Sequence, residues 1–296
     1  MKSILRTTAT VAATATILLG ALPATIAAAG HSFLWKVTGK GGTVYLVGSV
    51  HLLPKDFYPL NPPLEAAYKD SDLLVEEVDL AEMMAPEMQL SLLTRGQLSS
   101  SESLDKILAP STMEALKKKL DSLGAMAQPL MRLRPWLLAL MVDSLEWQKQ
   151  GFDPNFGLDK HFYDQAQEDK KPVKGLESVN DQISIFESMS PQQQDHLLAE
   201  TLNDIETEQA NMTKMIAAWR IGDAPAVEKI VLSDIQKESD LYQRLLVNRN
   251  KNWMPKIEEL FTRKGHALVV VGAAHLVGPD GLLTMLKARG YAIEQP

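Results

Sequence analysis

Runs of apolar residues change their spacing along the chain, from a strand-like pattern at both ends to a helix-like pattern in the middle. Near the amino end, residues 33–38 and 43–49 are apolar runs on either side of a glycine-rich turn, which predicts a pair of strands. Two consecutive prolines then open a predicted helix at residues 64–69. Residues 73–78 form an apolar run interrupted by two glutamates, which predicts a third strand.

The rest of the chain is predicted to be helical until strand character returns near the carboxyl end. From about residue 80 to 265, apolar residues recur at helical spacing, with one short strand at residues 172–175. Residues 267–271 read as a buried central strand, followed by a helix at 281–289 and a closing strand at 290–294. The pattern predicts an α/β fold in which amino- and carboxyl-terminal strands build one mixed sheet around a large helical middle section.

Composition and charge narrow the class of protein. Of the 296 residues, 45% are hydrophobic and 23% are charged, which excludes intrinsic disorder for most of the chain. The net charge of −7 argues against a nucleic-acid partner, which would favour a basic surface. Cysteine is absent, so disulfides and thiolate metal sites are excluded. Any metal site must therefore use imidazole and carboxylate groups.

The first residues have the pattern of a secretory signal peptide. Lys2 and Arg6 precede an uncharged, largely apolar stretch at residues 7–29. Small residues at 27–29 match an A-x-A cleavage site. An uncleaved membrane anchor is the alternative, although the apolar core is short for a span of about 20 residues. We therefore predict that residues 1–29 are a cleaved signal peptide.

The remaining chain, residues 30–296, is predicted to be a single domain. No later segment approaches the length and hydrophobicity of a membrane span. Export through a signal peptide predicts a periplasmic location if the source is a Gram-negative bacterium, and otherwise a secreted protein.

Two copies of a G-x-x-H motif, at residues 48–51 and 272–275, directly follow predicted strands, and Glu77 ends a third. If these strands are parallel, His51 and His275 meet Glu77 at one edge of the sheet. Two imidazoles and a carboxylate suit zinc, manganese, cobalt or iron. Strand alternation predicts that Glu76 points to the face opposite Glu77.

The other histidines are weaker candidates. His196 is expected on the solvated face of a helix, and His266 in a turn ahead of a strand. The sequence allows either a structural role or a site role for His161, and the structural role is favoured. Alternative hydrolytic motifs, H-E-x-x-H and G-x-S-x-G, are absent. One S-x-x-K match at residues 103–106 is interpreted as a helix start.

The sequence resembles the TraB/GumN family, a relative of the Tiki metalloproteases, and the GumN-like bacterial branch fits best. The resemblance covers about residues 33–295 and rests on five blocks in the family's order. Those blocks are residues 44–51, residues 72–79, residues 157–159 with 171–177 and Gln182, residues 249–253, and residues 271–278 with 290–291.

The resemblance implies a site and a range of activities. Resemblance to the Tiki relatives implies a divalent-metal peptidase. Resemblance to the TraB relatives implies the shut-down of a peptide signal, and the GumN name implies an association with exopolysaccharide genes. The family pattern selects Glu77, with Asp79, from the second block. The implied site residues are, as metal ligands, His51, His275 and Glu77; as catalytic residues, Glu77 and Arg249; and as substrate-binding residues, Asp159, Glu177 and Asn250.

Several roles within this set remain open. Arg249 could bind a substrate carboxylate or orient Glu77. Asp159 could cap a helix that begins near Leu158 or could join the site. Glu177 is placed at a strand exit, as a further site carboxylate.

The favoured hypothesis is a secreted or periplasmic metal-dependent hydrolase, with a peptidase preferred. Its metal would be manganese, cobalt or zinc, and its substrate a peptide or another small molecule. The alternatives are a non-catalytic protein that binds a peptide, metal or glycan, and an accessory factor in exopolysaccharide export. Metal-dependent turnover separates the first hypothesis from the other two.

Export is testable directly. We expect cleavage close to Ala29, because a basic start, an apolar core and small residues occur in the required order. The measurement is the intact mass of the exported protein, and a mass that still includes residues 1–29 would contradict the prediction.

Overall fold

The computed structural model describes residues 31–39, 41–123, 127–203, 205–233, 235–237 and 239–296. The predicted signal peptide, residues 1–29, lies outside the described residues and stays a prediction.

A six-stranded mixed sheet forms the centre of the fold, with strand order β6-β4-β7-β2-β1-β8. The neighbouring strands β6, β4, β7 and β2 pair in parallel, whereas β1 pairs antiparallel with both β2 and β8. A second sheet contains only the antiparallel pair β3 and β5. The strands are β1 Leu34–Thr38, β2 Thr43–Ser49, β3 Leu53–Pro54, β4 Leu73–Glu76, β5 Phe152–Asp153, β6 Val173–Gly175, β7 His266–Gly272 and β8 Ala292–Glu294.

The predicted mixed sheet of amino- and carboxyl-terminal strands is confirmed. Its two central strands, β2 and β7, are almost fully buried, which explains their continuous apolar sequences. β4 is shorter than predicted and ends at Glu76. His266 is the first residue of β7, so the prediction that it lies in the preceding turn is wrong. The small second sheet was not predicted, because two-residue strands leave no periodic pattern.

Helices fill the section between β4 and β7, and further helices lie before β4 and after β7. The described helices are α1 Pro62–Asp70, α2 Leu80–Met84, α3 Pro86–Arg95, α4 Leu104–Ile107, α5 Pro110–Leu123, α6 Ala127–Leu130, α7 Pro135–Lys149, α8 Leu158–Glu168, α9 Val179–Glu187, α10 Pro191–Asn203, α11 Ile205–Arg220, α12 Ala224–Leu232, α13 Ser239–Tyr242, α14 Asn248–Leu260, α15 Ala273–Leu276 and α16 Leu282–Ala288.

The large helical middle section is therefore confirmed, interrupted by β5 and β6. Proline stands at the first or second position of several of these helices, including α1, α3, α7 and α12, where its missing N–H is no loss. Ser103 is the residue before α4, so the S-x-x-K match is a helix start as expected. Among the described residues, no helix combines the length and apolar character needed to cross a membrane.

Two apolar clusters stabilise the described part of the chain. The larger surrounds the six-stranded sheet and includes side chains of α1, α8, α11, α12, α14 and α16. The smaller lies among α4, α5, α7, α9 and α10, around the fully buried Trp136. Trp219 on α11 belongs to the larger cluster and donates its indole N–H to the carbonyl of Gly48 at 2.6 Å. This bond fixes the end of β2, where the first G-x-x-H motif begins.

Candidate functional site

The carboxyl ends of the four parallel strands carry the predicted site residues. His51 follows β2, Glu77 follows β4, Glu177 follows β6, and His275 follows β7 on the short helix α15. Parallel strands present their carboxyl ends at one edge of a sheet, so these side chains approach one another although they are far apart in sequence. The expected convergence of the two G-x-x-H motifs with Glu77 is what the fold produces.

Neighbouring side chains lie close to the backbone at both motif glycines. A Cβ added to Gly272 would lie 3.2 Å from Glu77 Oε1 and 3.7 Å from His51 Nε2, with the His275 ring at 3.6 Å. These three side chains thus surround a single point beside the end of β7. At Gly48, a Cβ would lie only 2.4 Å from the Phe33 ring. The glycine that begins each motif therefore keeps the strand ends compact enough for the histidines to meet.

His275 is a buried neutral imidazole with both ring nitrogens engaged. Arg249 Nη1 can only donate, so its 3.0 Å contact identifies His275 Nε2 as the acceptor. The Nδ1–H then donates to Asn250 Oδ1 at 2.7 Å. Asn250 Nδ2 donates to the carbonyls of His275 and Asp280, which fixes the orientation of the amide. Burial lowers the pKa of His275 to about 3, partly opposed by Glu77.

His51 has the opposite protonation tendency because its partner is a carboxylate. Its Nδ1 lies 3.0 Å from Asp159 Oδ1, which also accepts a 2.7 Å hydrogen bond from the Ser49 hydroxyl. The charge of Asp159 raises the pKa of His51 to about 9, against the effect of desolvation. The His51 side chain is 57% exposed, so solvent reaches the imidazole while Asp159 orients it. Its Nε2 is left facing the convergence point beside Gly272.

Arg249 connects the remaining polar groups. Its guanidinium forms an ion pair with Glu77 Oε2, and its Nη2 and Nε donate to Glu177 Oε1 at 2.7 and 2.9 Å. Glu177 Oε2 accepts the indole N–H of Trp253 at 2.9 Å. A π-helical segment, Gln243–Val247, leads directly into α14, and Arg249 also donates to the Leu245 carbonyl within it. Such π segments often occur at functional sites.

Glu77 is held as a carboxylate by its surroundings. Burial would raise its pKa, but Arg249, His275 and His51 outweigh burial and lower the pKa to about 2. The backbone N–H of Gly272 donates to Oε1 at 2.7 Å, and Gln182 Nε2 donates to Oε2 at 3.2 Å. Oε1 is the oxygen nearer the imidazoles, at 3.8 Å from His275 Nε2.

Glu76 lines the same cavity as Glu77, so the expectation that only one of them faces the cleft is wrong. β4 ends at Glu76, and beyond a strand end the regular alternation of side chains no longer applies. Both carboxylate oxygens of Glu76 are buried without a hydrogen-bond partner among the described residues. Burial raises its pKa to about 9, which favours a neutral carboxyl group at neutral pH.

A cavity of about 420 Å³ opens onto this edge of the sheet. The size is in the range of small-molecule sites. Its apolar lining comes largely from α2, and its polar lining includes carboxyl groups and His51. Residues that line the cavity include His51, Glu76, Glu77, Leu80, Met83 and Asp159.

The three residues assigned to substrate binding contact other site residues in the structure. Asp159 holds His51, Glu177 holds Arg249, and Asn250 holds His275. Gly157, not Asp159, is the residue that caps α8, so Asp159 belongs to the site. Their predicted contact with a substrate stays a prediction. These long-range pairings leave no signal in the sequence, except that each residue lies in a block of the family pattern.

Two site residues were not singled out from the sequence. Ser49 lies inside the first G-x-x-H motif, and its hydroxyl is the second donor to Asp159. Glu76 could have been found as a carboxylate at the end of an otherwise apolar run. Outside the site, His161 contacts Glu65 at 2.9 Å, which supports its structural role. His196 is exposed on α10, as expected.

The donor groups suit a divalent metal, although their present arrangement is not a ligand set. Each histidine has Nδ1 held by a side-chain oxygen, the arrangement that orients metal-binding imidazoles, and His275 Nε2 lies 3.8 Å from Glu77 Oε1. Within the described ranges, however, no three His, Asp or Glu side chains are placed to hold one ion. Arg249 accounts for this, because its guanidinium contacts both His275 Nε2 and Glu77.

The fold and site define the class as an α/β protein with a polar, imidazole- and carboxylate-containing site at the carboxyl edge of parallel strands. The chain belongs to the TraB/PrgY/gumN family, whose sequence profile matches residues 33–295. The chain is similar to "Uncharacterized protein YbaP" of Escherichia coli (strain K12). The two are 27% identical over 244 residues, which cover 82% of this chain and 87% of the relative. A Shigella flexneri protein of that name gives the same figures. No solved structure matches the chain.

The buried neutral state of His275 predicts a specific loss of stability in acid. Below about pH 6.5 the unfolded chain protonates this histidine, whereas the folded chain does not until about pH 3. The free energy of unfolding should therefore fall by about 1–2 kcal/mol between about pH 6.5 and pH 5 from this residue. Urea unfolding of the wild type and His275→Gln measures it. An identical pH dependence in both proteins would contradict the assignment.

Proposed function

We propose that this protein is a metal-dependent hydrolase of the periplasm or the extracellular space, and that its substrate is a peptide. The observation that supports this function is the convergence of His51 Nε2, Glu77 Oε1 and the His275 ring around one point beside Gly272. Neutral imidazoles and carboxylates are the ligands of hydrolytic metal centres in proteins that do not use cysteine. His51, His275 and Glu77 would hold the metal.

A bound divalent metal would supply Lewis-acid polarisation of a scissile carbonyl. The protein's own residues supply the rest of the chemistry. Asp159 and Asn250 orient the two imidazoles through Nδ1, so that Nε2 of each is the nitrogen that would bind the metal. The apolar wall from α2 removes water from one side of the cavity and favours an apolar group of the substrate next to the polar edge.

Arg249 is the residue best suited to bind an anionic group of the substrate, since a guanidinium can hold a carboxylate through two parallel hydrogen bonds. In the structure it is paired with Glu77, which makes this carboxylate a poor base. A substrate carboxylate that competes for Arg249 would free Glu77 and His275 together. Substrate or metal entry and the movement of Arg249 are therefore mutually dependent.

His51 must lose a proton before it can hold a metal, because Asp159 favours its charged form. The proposed metal binding consequently becomes stronger as the pH rises towards about 9. While charged, His51 could instead interact with an anionic ligand in the cleft. A non-catalytic protein that binds a peptide or a glycan would use this charged form of His51. The contact between Arg249 and His275 also favours this alternative function.

A metal analysis of the purified protein, coupled to a peptide-library cleavage screen with and without chelator, tests the proposed function. We expect retention of manganese, cobalt or zinc and cleavage that the chelator abolishes. Binding of peptides without any cleavage at any metal loading would reject the hydrolase and favour the binding protein.

The two histidines provide the matched variants for metal retention. His51→Ala and His275→Gln should each reduce the retained metal by at least about tenfold, because each removes one ligand from a set that contains no cysteine. His266→Gln is the control, since His266 lies at the opposite end of β7 from His275 and pairs with Asp70. Equal metal loss in the control would reject the assigned ligands.

Substitution of Glu77 tests its role in catalysis separately from its role in folding. Glu77→Gln should lower turnover by about 100-fold or more, because an amide can neither accept a proton nor offset the charge of a metal. Glu177 still pairs with Arg249 in this variant, so the thermal melt should change little. Glu87→Gln on the exposed side of α3 is the matched control. Normal turnover in Glu77→Gln would remove this residue from the mechanism.

A further inference from the structure

A second cavity, of about 510 Å³, lies within the helical middle section and shares no lining residue with the site cavity. It is bordered by α7, α10, α11, α12 and α13 and is open to solvent, since its lining residues His196, Glu200 and Asp240 are exposed. Cavities of about 300–1,000 Å³ are typical of ligand sites. We propose that this cavity binds an amphipathic ligand with an apolar chain and a positively charged ammonium head.

The body of the cavity is suited to an apolar chain. Methionine and branched aliphatic side chains from four helical segments face it. Methionine side chains are flexible and polarisable, so they adapt to chains of different shape. The apolar lining includes Met189, Leu197, Met212, Met215, Ile230 and Val231.

The polar part of the cavity selects for a cation. Three carboxylates, Asp143, Glu200 and Asp240, line it, together with His196, and its described lining contains no lysine or arginine. Asp240 is already paired with Arg244 at 2.8 Å. Asp143 and Glu200 are thus the carboxylates assigned to the ligand.

Trp147 and Asp143 together form a site for an ammonium group. They lie one turn apart on α7, and the Trp147 indole N–H donates to Asp143 Oδ1 at 2.9 Å. Both line the cavity. The indole N–H contacts Asp143 from the edge of the ring and orients its carboxylate, which attracts the positive charge of the ammonium head. Burial raises the pKa of Asp143, so water stabilises its charge poorly and an arriving cation would stabilise it more.

Isothermal titration calorimetry with three probes tests the proposal on the full mature chain. Decyltrimethylammonium, below its micelle concentration, carries both the chain and the head. Decanoate carries the same chain with a negative head, and tetramethylammonium is the head alone. We expect one site for decyltrimethylammonium, at least about tenfold weaker binding of decanoate, and no detectable binding of tetramethylammonium. Equal or tighter binding of decanoate, or no binding of decyltrimethylammonium, would overturn the proposal.

Substitutions then place the bound probe in this cavity. Asp143→Asn and Glu200→Gln should each weaken decyltrimethylammonium binding by about three- to tenfold and should strengthen decanoate binding, because each removes a charge that repels the negative head. Val231→Trp should block the chain, and Thr201→Trp does so from a partly exposed position if the first variant fails to fold.

Glu114→Gln is the matched charge control, because Glu114 is exposed on α5 and does not line the cavity. It should bind decyltrimethylammonium as the wild type does. Undiminished binding in a folded Val231→Trp or Thr201→Trp variant would show that the probe binds elsewhere and would overturn the proposal.

Discussion

The guanidinium of Arg249 holds together the carboxyl ends of three parallel strands, and the geometry of the candidate site depends on it. It pairs with Glu77 beyond β4 and with Glu177 beyond β6, and it donates to His275 beyond β7. Carboxylates this far from solvent are unfavourable unless they are paired and hydrogen-bonded, and breaking a buried pair typically costs about 3–5 kcal/mol. The two carboxylates can therefore stay close to each other only while a cation remains between them.

The charges around this cation also explain what the site would attract. Arg249 offsets one of the two carboxylates it contacts, and His51 offsets Asp159. One negative charge remains, while burial keeps the neighbouring Glu76 neutral. A further cation would therefore be stabilised at this edge of the sheet, but it must compete with Arg249 for the same atoms.

Much of this arrangement could be predicted from the sequence, because strand ends leave local signals. The runs around β2 and β7, and the glycines that end them, placed His51 and His275 correctly. Glu76 was misplaced because alternation is reliable only inside a strand, and β4 ends there. The contacts of Asp159 with His51 and of Glu177 with Arg249 span 108 and 72 residues. Such pairings depend on how the helical section packs, which periodicity does not reveal.

The same limit applies to the second cavity. Periodicity predicted the helical section that contains α7, but a cavity is defined by the space that neighbouring side chains leave unfilled. Asp143 faces the second cavity and the next residue, Ser144, faces the site cavity, so a single helix separates the two. A ligand that binds preferentially to one position of α7 would change both cavities, whereas a ligand that leaves α7 in place would change only its own. Any communication between them must therefore pass through a displacement of this helix or of its contacts.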